Sequence, residues 1–103
     1  MNIAFHYIYR DGANYKNFNT VIFKNNIDIT IEELKILLKT KLICEEYFYA
    51  EEWKLPDLHF GSWEDEFDHD FHSFEDINYT NETPNAELTM AEFLNIIKET
   101  DWV

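Results

Sequence analysis

Apolar and polar positions alternate with a period of two along the first ten residues. In NIAFHYIYRD, the odd-numbered residues from Ile3 to Tyr9 are aromatic or isoleucine, which predicts a β-strand with one buried face. The stretch RDGANYKNFN that follows is rich in turn-forming residues, and TVIFKN, which begins at Thr20, predicts a second strand. Residues 2–25 are therefore predicted to form an antiparallel hairpin with a long loop.

Two later segments carry the spacing of amphipathic helices. Thr30 and Glu33 in TIEELKILLKTKL have the spacing of a capping box, and Thr89 and Glu92 repeat it in LTMAEFLNIIKET. The apolar stripes that should face the core are Ile31, Leu34, Leu37, Leu38 and Leu42 in the first helix, and Met90, Phe93, Leu94 and Ile97 in the second.

The segment between the helices has a mixed pattern. EEYFYAEEWKLPDLHF favours a short helix or strand before a turn at Leu55-Pro56, and FHSFEDINYTNE alternates as a strand does. This order of elements predicts an α+β fold, with an N-terminal β-hairpin and further antiparallel strand packed against two amphipathic helices. A length of 103 residues fits one domain, residues 1–103.

Composition indicates a folded protein and the cellular compartment in which we expect it. The chain is 46% hydrophobic and 17% aromatic, which is typical of a folded core rather than of disorder. It has no apolar run of membrane-spanning length and no basic segment followed by an apolar run at its N-terminus. The single cysteine, Cys44, excludes an internal disulfide, and we expect a cytoplasmic protein.

Cys44 is predicted to be a buried small hydrophobic residue, because aliphatic and aromatic neighbours flank it in KLICEEYF. A catalytic thiol would need an electropositive setting. Glu45 and Glu46 supply the opposite charge.

Charge is unevenly distributed along the chain. Residues 1–44 carry six Lys/Arg and four Asp/Glu, a net charge of +2, whereas residues 45–103 carry two lysines and seventeen acids, a net charge of −15. Three interpretations fit this segregation: a solvated face that keeps the domain in solution, a surface for a basic protein partner, or a cation site. Direct nucleic-acid binding is disfavoured, because it requires a patch of Lys and Arg.

The acidic half centres on EDEFDHDFHSFED, residues 64–76. A DNA duplex carries one charge per about 1.7 Å, so a net charge of −15 corresponds to about 25 Å of duplex. The domain could therefore act as a nucleic-acid mimic that occupies the groove of a basic, nucleic-acid-handling protein, in the manner of an inhibitor, an immunity protein or an antitoxin. The candidate partner-binding residues are Glu64, Asp65, Glu66, Asp68, Asp70, Glu75, Asp76 and Trp63.

The alternative is a small metal-binding protein or metalloenzyme. Two histidines with carboxylates suit zinc, manganese or iron, although the spacing here matches no H-E-x-x-H motif. The candidate ligands are His59, His69, His72, Asp57 and Asp70. The competing interpretation places His59 and His72 in aromatic clusters. No glycine-rich phosphate loop or G-x-S-x-G elbow is present, so we expect no enzyme activity and no cofactor unless a divalent metal binds.

Aromatic residues inside the acidic half offer a further possibility. They either build the core or form a contact surface for a partner or a second copy of the chain. These residues are Trp53, Phe60, Trp63, Phe67, Phe71 and Phe74. The runs YRDGANYKNF, YFYAEEWKLPDLHF and DHDFHSFEDINYT resemble those of small bacterial proteins of unknown function. The resemblance covers most of the chain and implies no activity.

Overall fold

A four-stranded antiparallel sheet forms one layer of the molecule, and two helices cover one of its faces. The computed structural model describes residues 1–10, 16–58 and 71–101. The strand order in the sheet is β2-β1-β4-β3, which confirms the predicted α+β fold. The elements are β1 Asn2–Arg10, β2 Lys16–Phe23, α1 Ile31–Lys41, β3 Tyr47–Phe48, β4 His72–Thr80 and α2 Met90–Glu99. None of the described helices has the length and apolar character needed to cross a membrane.

The core lies between the helices and the face of β1 that carries its odd-numbered residues. Ile3, Phe5, Tyr7 and Tyr9 are almost completely buried there. The Phe93 ring of α2 stacks on Phe23 with centroids 4.3 Å apart. Fully burying one such side chain stabilises the fold by about 1.5–3 kcal/mol, so a small domain can rest on a few large rings.

The predicted threonines are the N-caps of both helices. The side chain of Thr30 accepts a hydrogen bond from the backbone N–H of Glu33, and Thr89 and Glu92 form a complete, reciprocal capping box. The second apolar stripe is buried in full, whereas Ile31 and Leu37 of the first are only partly buried. The two capping predictions are confirmed.

Strand β2 begins at Lys16, four residues before the predicted start at Thr20. The stretch KNFN has one apolar residue, so its hydrophobic pattern gave no strand signal. Pairing with β1 extends the strand, because Arg10 lies opposite Lys16 in the register. The side-chain amide of Asn17 donates to the carbonyl of Leu58, and that of Asn19 donates to the hydroxyl of Tyr7. These hydrogen bonds stand where a strand would normally make apolar contacts.

Cys44 is exposed, so the prediction that it is buried is wrong. Cys44 and Glu45 have φ values of 52° and 61°, a left-handed backbone uncommon for residues other than glycine. These two residues form part of the turn between α1 and β3, and the turn places the cysteine side chain outside the core. Two of the apolar neighbours that suggested burial, Leu42 before the turn and Phe48 in β3, are themselves buried.

Candidate functional site

Four of the predicted site residues lie in the described part of the chain: Asp57, His72, Glu75 and Asp76. The others lie outside the described residues, and their roles stay predictions. These are His59, Trp63, Glu64, Asp65, Glu66, Asp68, His69 and Asp70.

His72 lies in an aromatic cluster at the start of β4. Its ring is 1% exposed, and its centroid is 5.1 Å from that of Tyr9, 5.9 Å from that of Tyr7 and 6.1 Å from that of Phe48. The prediction that His72 belongs to an aromatic cluster is confirmed. The cluster lies at the end of the sheet, so another part of the chain must shield its rings from solvent.

Residues 55–58 provide this cover, and polar contacts hold them in place. The backbone N–H of Leu58 donates to His72 Nε2 at 3.0 Å, so Nε2 acts as an acceptor in this geometry. The Tyr7 hydroxyl donates to the carbonyl of Pro56 at 2.6 Å, and Asn17 Nδ2 donates to the carbonyl of Leu58 at 3.0 Å. Burial raises the pKa of Tyr7, and the charge of Asp57 raises it further, against the hydrogen bond from Asn19.

Asp57 lies beside this cluster, with Oδ1 3.4 Å from His72 Nε2 and a side chain that is 60% exposed. Two of the five predicted metal ligands are therefore adjacent, and the other three lie outside the described residues. Within residues 1–10, 16–58 and 71–101, no group of three or more His, Cys, Asp or Glu side chains could hold a metal ion. The arrangement around His72 that the structure describes fastens residues 55–58 to the sheet.

Glu75 and Asp76 lie at an irregularity in β4. Asp76 faces His6 on β1 and Phe74 faces Tyr7, so Glu75 is the extra residue of a β-bulge. Both carboxylates are exposed. The sequence suggested that they point toward a partner, and their exposure is compatible with that prediction.

Lysines of α1 face part of the acidic half. Lys35 Nζ lies 3.6 Å from Asp76 Oδ1, and Lys39 Nζ lies 3.9 Å from Glu45 Oε1. All four side chains are more than half exposed, and such surface pairs contribute about 0–1 kcal/mol each. The mildly basic first half thus offsets the charge of some acids, but these pairs add little stability.

Carboxylates from two distant parts of the chain share a groove, which we call the acidic groove. It has a volume of about 500 Å³ and lies between the turn after β3 and the end of α2. Its lining residues are Tyr49, Glu52, Ile96, Glu99, Thr100 and Asp101.

Thr100, which caps the end of α2, fixes the walls of the acidic groove. Its hydroxyl accepts a hydrogen bond from Trp53 Nε1 at 2.8 Å and donates to the carbonyl of Ile96 at 2.9 Å. Lys41 Nζ at the end of α1 donates to the Thr100 carbonyl at 3.3 Å. Trp53 is completely buried and stacks on Phe48, with centroids 4.9 Å apart. The turn that carries Glu52 is therefore attached to the helix that carries Glu99.

The electrostatics of the acidic groove favour cationic groups. The C-terminal end of α2 carries the negative end of the helix dipole, and Glu99 and Asp101 add full negative charges at the same place. The Lys41 ammonium, bonded to the Thr100 carbonyl, offsets part of this charge. Among the described residues, neither Glu52 nor Glu99 forms an ion pair. Glu52, Glu99 and Asp101 do not form a group able to hold a metal ion.

Next to the groove, the charge of Glu46 raises the pKa of its neighbour Tyr47 above the ordinary value. From the sequence, the interaction surface was predicted at Trp63 and the acidic residues of 64–76, and the acidic groove was not predicted. Glu52 and Glu99 belong to different elements, and no spacing rule connects them; the charge of the second half was the one signal that pointed toward them.

Comparisons with protein-family models, with curated proteins and with solved structures find no match to this chain.

Proposed function

We propose that this protein is a small acidic binding domain that masks a basic, nucleic-acid-handling partner, as an inhibitor, an immunity protein or an antitoxin does. The observation that carries the proposal is the acidic groove, in which Glu52, Glu99 and Asp101 share one concave surface. A groove of this kind is complementary to the Lys and Arg side chains with which proteins contact phosphates.

The acidic groove combines charge with an aromatic wall. Tyr49 lines it beside the carboxylates, and an arginine that enters can pair with a carboxylate while it packs on the ring. Tyrosine and arginine are frequent where a few residues carry most of the binding energy. The groove therefore favours arginine-rich surfaces over isolated cations.

The charge of the whole second half supports a nucleic-acid-handling partner. A net charge of −15 over residues 45–103 provides a long-range field that accelerates the approach of a basic protein. The acidic run at residues 64–76 adds carboxylates that would extend the contact beyond the groove. The predicted partner-binding residues within this run remain part of the proposal.

Neutralising the groove tests where the partner binds. A tagged Glu52→Gln/Glu99→Gln variant removes two groove charges without changing side-chain size, and a Glu32→Gln/Glu82→Gln variant removes two exposed charges elsewhere. Each variant is used at low salt to capture proteins from the native host, and the recovered basic proteins are identified and quantified by mass spectrometry. We expect recovery of the partner to fall at least about tenfold for the groove variant, equivalent to about 1.4 kcal/mol, and to change little for the control.

If neither variant recovers less of the partner than the parent protein does, the partner binds another surface. If both variants lose recovery to the same extent, net charge alone governs the interaction. Either result contradicts the assignment of the acidic groove.

A further inference from the structure

The outer edge of β2 has a row of backbone groups that face away from β1. Ile22 shows the direction of this row, because its N–H donates to Asn85 Oδ1 at 2.8 Å and its carbonyl accepts from the N–H of Asn85 at 3.1 Å. Backbone groups alternate in direction along an antiparallel strand, and β2 pairs with β1 without a register shift. Lys16, Phe18 and Thr20 therefore point their N–H and carbonyl groups outward as well.

Residues 85–90 cover the second half of this edge, and no residue that the structure describes pairs with the first half. The backbone of Ala86 bonds to Ile22, and that of Met90 bonds to Lys24. Within the described residues, the outward backbone groups of residues 16–20 have no hydrogen-bond partner. Open strand edges are sites at which another strand can add.

The open edge is complementary to itself. It has five residues with Phe18 at their centre, so a second copy can pair antiparallel about a two-fold axis at Phe18. In that register Lys16 of each copy faces Thr20 of the other, Asn17 faces Asn19, and the two Phe18 residues face each other. No like charges lie directly opposite, and paired aromatic rings stabilise a sheet.

Phe18 also supplies apolar area for this contact. Its side chain is 67% exposed and lies on the face of the sheet away from the helices, opposite Ile8 in the register with β1. Phe18 faces its counterpart in an isologous dimer, in which the same surface serves both copies.

We propose that this chain forms a homodimer by antiparallel pairing of residues 16–20 of β2, which joins two four-stranded sheets into one of eight strands. The contact exchanges about six backbone hydrogen bonds, two for each hydrogen-bonded pair of facing residues. This surface is separate from the acidic groove, so the proposal does not depend on the proposed function.

The size and charge of the contact set its strength. A stable interface buries about 800 Å² per partner, which a five-residue edge and one phenylalanine per copy do not reach, so the dimer is weak and depends on concentration. Each copy has a net charge of −13. Added salt screens the repulsion between copies, so dimer formation increases with salt, whereas binding of a basic partner decreases.

Disulfide trapping tests the register. In a Cys44→Ser background, Phe18→Cys places two cysteines at a hydrogen-bonded pair with Cα atoms about 5.5 Å apart, within the range a disulfide spans. We expect mild oxidation to give a covalent dimer. Lys16→Cys alone is the control, because the two copies of residue 16 are about 14 Å apart along the strands. A mixture of Lys16→Cys and Thr20→Cys chains should form a mixed disulfide.

Sedimentation over a range of protein and salt concentrations tests the dimer without a cross-link. Phe18→Glu should reduce the dimer at least about tenfold, whereas Ile36→Glu should leave it unchanged, because Ile36 is 68% exposed on α1 and lies away from the edge. A monomer at all concentrations, or equal cross-linking at positions 16 and 18, would overturn the proposal. Equal loss of the dimer in both glutamate variants would also overturn it.

Discussion

His72 is a polar ring at a position where the rest of the surroundings is aromatic. It is 1% exposed and accepts the N–H of Leu58 at 3.0 Å. Buried polar groups are tolerated when their hydrogen bonds are formed, and they are costly when a partner is removed. The imidazole therefore orders residues 55–58 while its ring packs like a hydrophobic side chain.

Replacing His72 with phenylalanine keeps a buried ring but removes the acceptor for the Leu58 N–H. We expect the free energy of unfolding to fall by about 1–3 kcal/mol, as measured by urea denaturation. His6→Phe is a suitable comparison, because the His6 ring bonds to Thr20 and Asn78 on the more open face of the sheet and should cost less. A His72→Phe variant as stable as the parent protein would contradict the role of Nε2.

The contribution of Tyr7 to the free energy of unfolding should depend on pH in the alkaline range. Burial raises its pKa above the ordinary value of 10.0, so Tyr7 ionises in the unfolded chain before it ionises in the folded one. Its contribution to stability is therefore complete below pH 10 and is lost as the pH rises above that value. Tyr7→Phe removes this dependence and also the hydrogen bond to Pro56.

The check is urea denaturation of both proteins from neutral pH to above pH 10. The parent protein should be about 0.5–1.5 kcal/mol more stable than Tyr7→Phe near neutral pH, and the difference should shrink above pH 10. A difference that stays constant or grows at alkaline pH would show that the Tyr7 pKa is not raised in the folded protein.

The role of a residue could be predicted where nearby residues determine it, and was predicted wrongly where the conformation of the backbone determines it. Thr30 and Thr89 were identified as caps because an N-cap depends on residues within one turn. Cys44 was misplaced because its exposure follows from positive φ angles in a turn, which its apolar neighbours do not encode. The contact between His72 and Leu58 joins two segments that the sequence pattern does not connect.

Among the elements, β2 depends most on neighbours outside the sheet. Its second half is paired on both sides, by β1 and by residues 85–90, whereas its first half is paired by β1 alone among the described residues. Asn85 is the residue at the boundary, because its side chain and backbone both bond to Ile22.

Asn85→Ala removes the side-chain acceptor for the Ile22 N–H. We expect a loss of about 0.5–1.5 kcal/mol in the free energy of unfolding, together with faster hydrogen exchange at the Ile22 amide. Asn85→Asp retains an acceptor oxygen and should protect that amide from exchange. Unchanged exchange in the alanine variant would show that this hydrogen bond does not anchor the segment.

Elements with a clear hydrophobic periodicity were predicted well. Strand segments that form because a neighbouring strand pairs with them were not. The two helices and β4 carry their pattern in their own residues. The polar start of β2 and the two-residue β3 exist because a neighbouring strand pairs with them, and a single sequence does not show that neighbour. The acidic groove has the same origin, because α2 and the turn after β3 meet through Trp53 and Thr100.

At the scale of the whole molecule, charge is the dominant property. The net charge is −13, and the ion pairs between α1 and the acidic half are exposed and weak. Repulsion between the remaining acids opposes folding, so a solvated surface of this kind has a cost that a basic partner would relieve.

Added sodium chloride should therefore stabilise the isolated protein against heat. Salt screens exposed charges beyond about 8 Å at physiological strength, and a gain of about 1 kcal/mol corresponds to a rise of about 4–8 °C in Tm for a domain of this size. Calorimetry at increasing salt concentration gives the measurement. A Tm that falls with salt would show that attractive pairs outweigh repulsion in the folded chain.

Whether the acidic surface binds a basic protein is decided by the salt dependence of partner capture. The tagged protein is incubated with an extract of the native host, and the proteins it retains are quantified at a series of salt concentrations. We expect one dominant basic partner at low salt, with retention that falls steeply as salt rises, because added salt screens the charges that attract it. Retention that is insensitive to salt, or the absence of any basic partner at low salt, would contradict it.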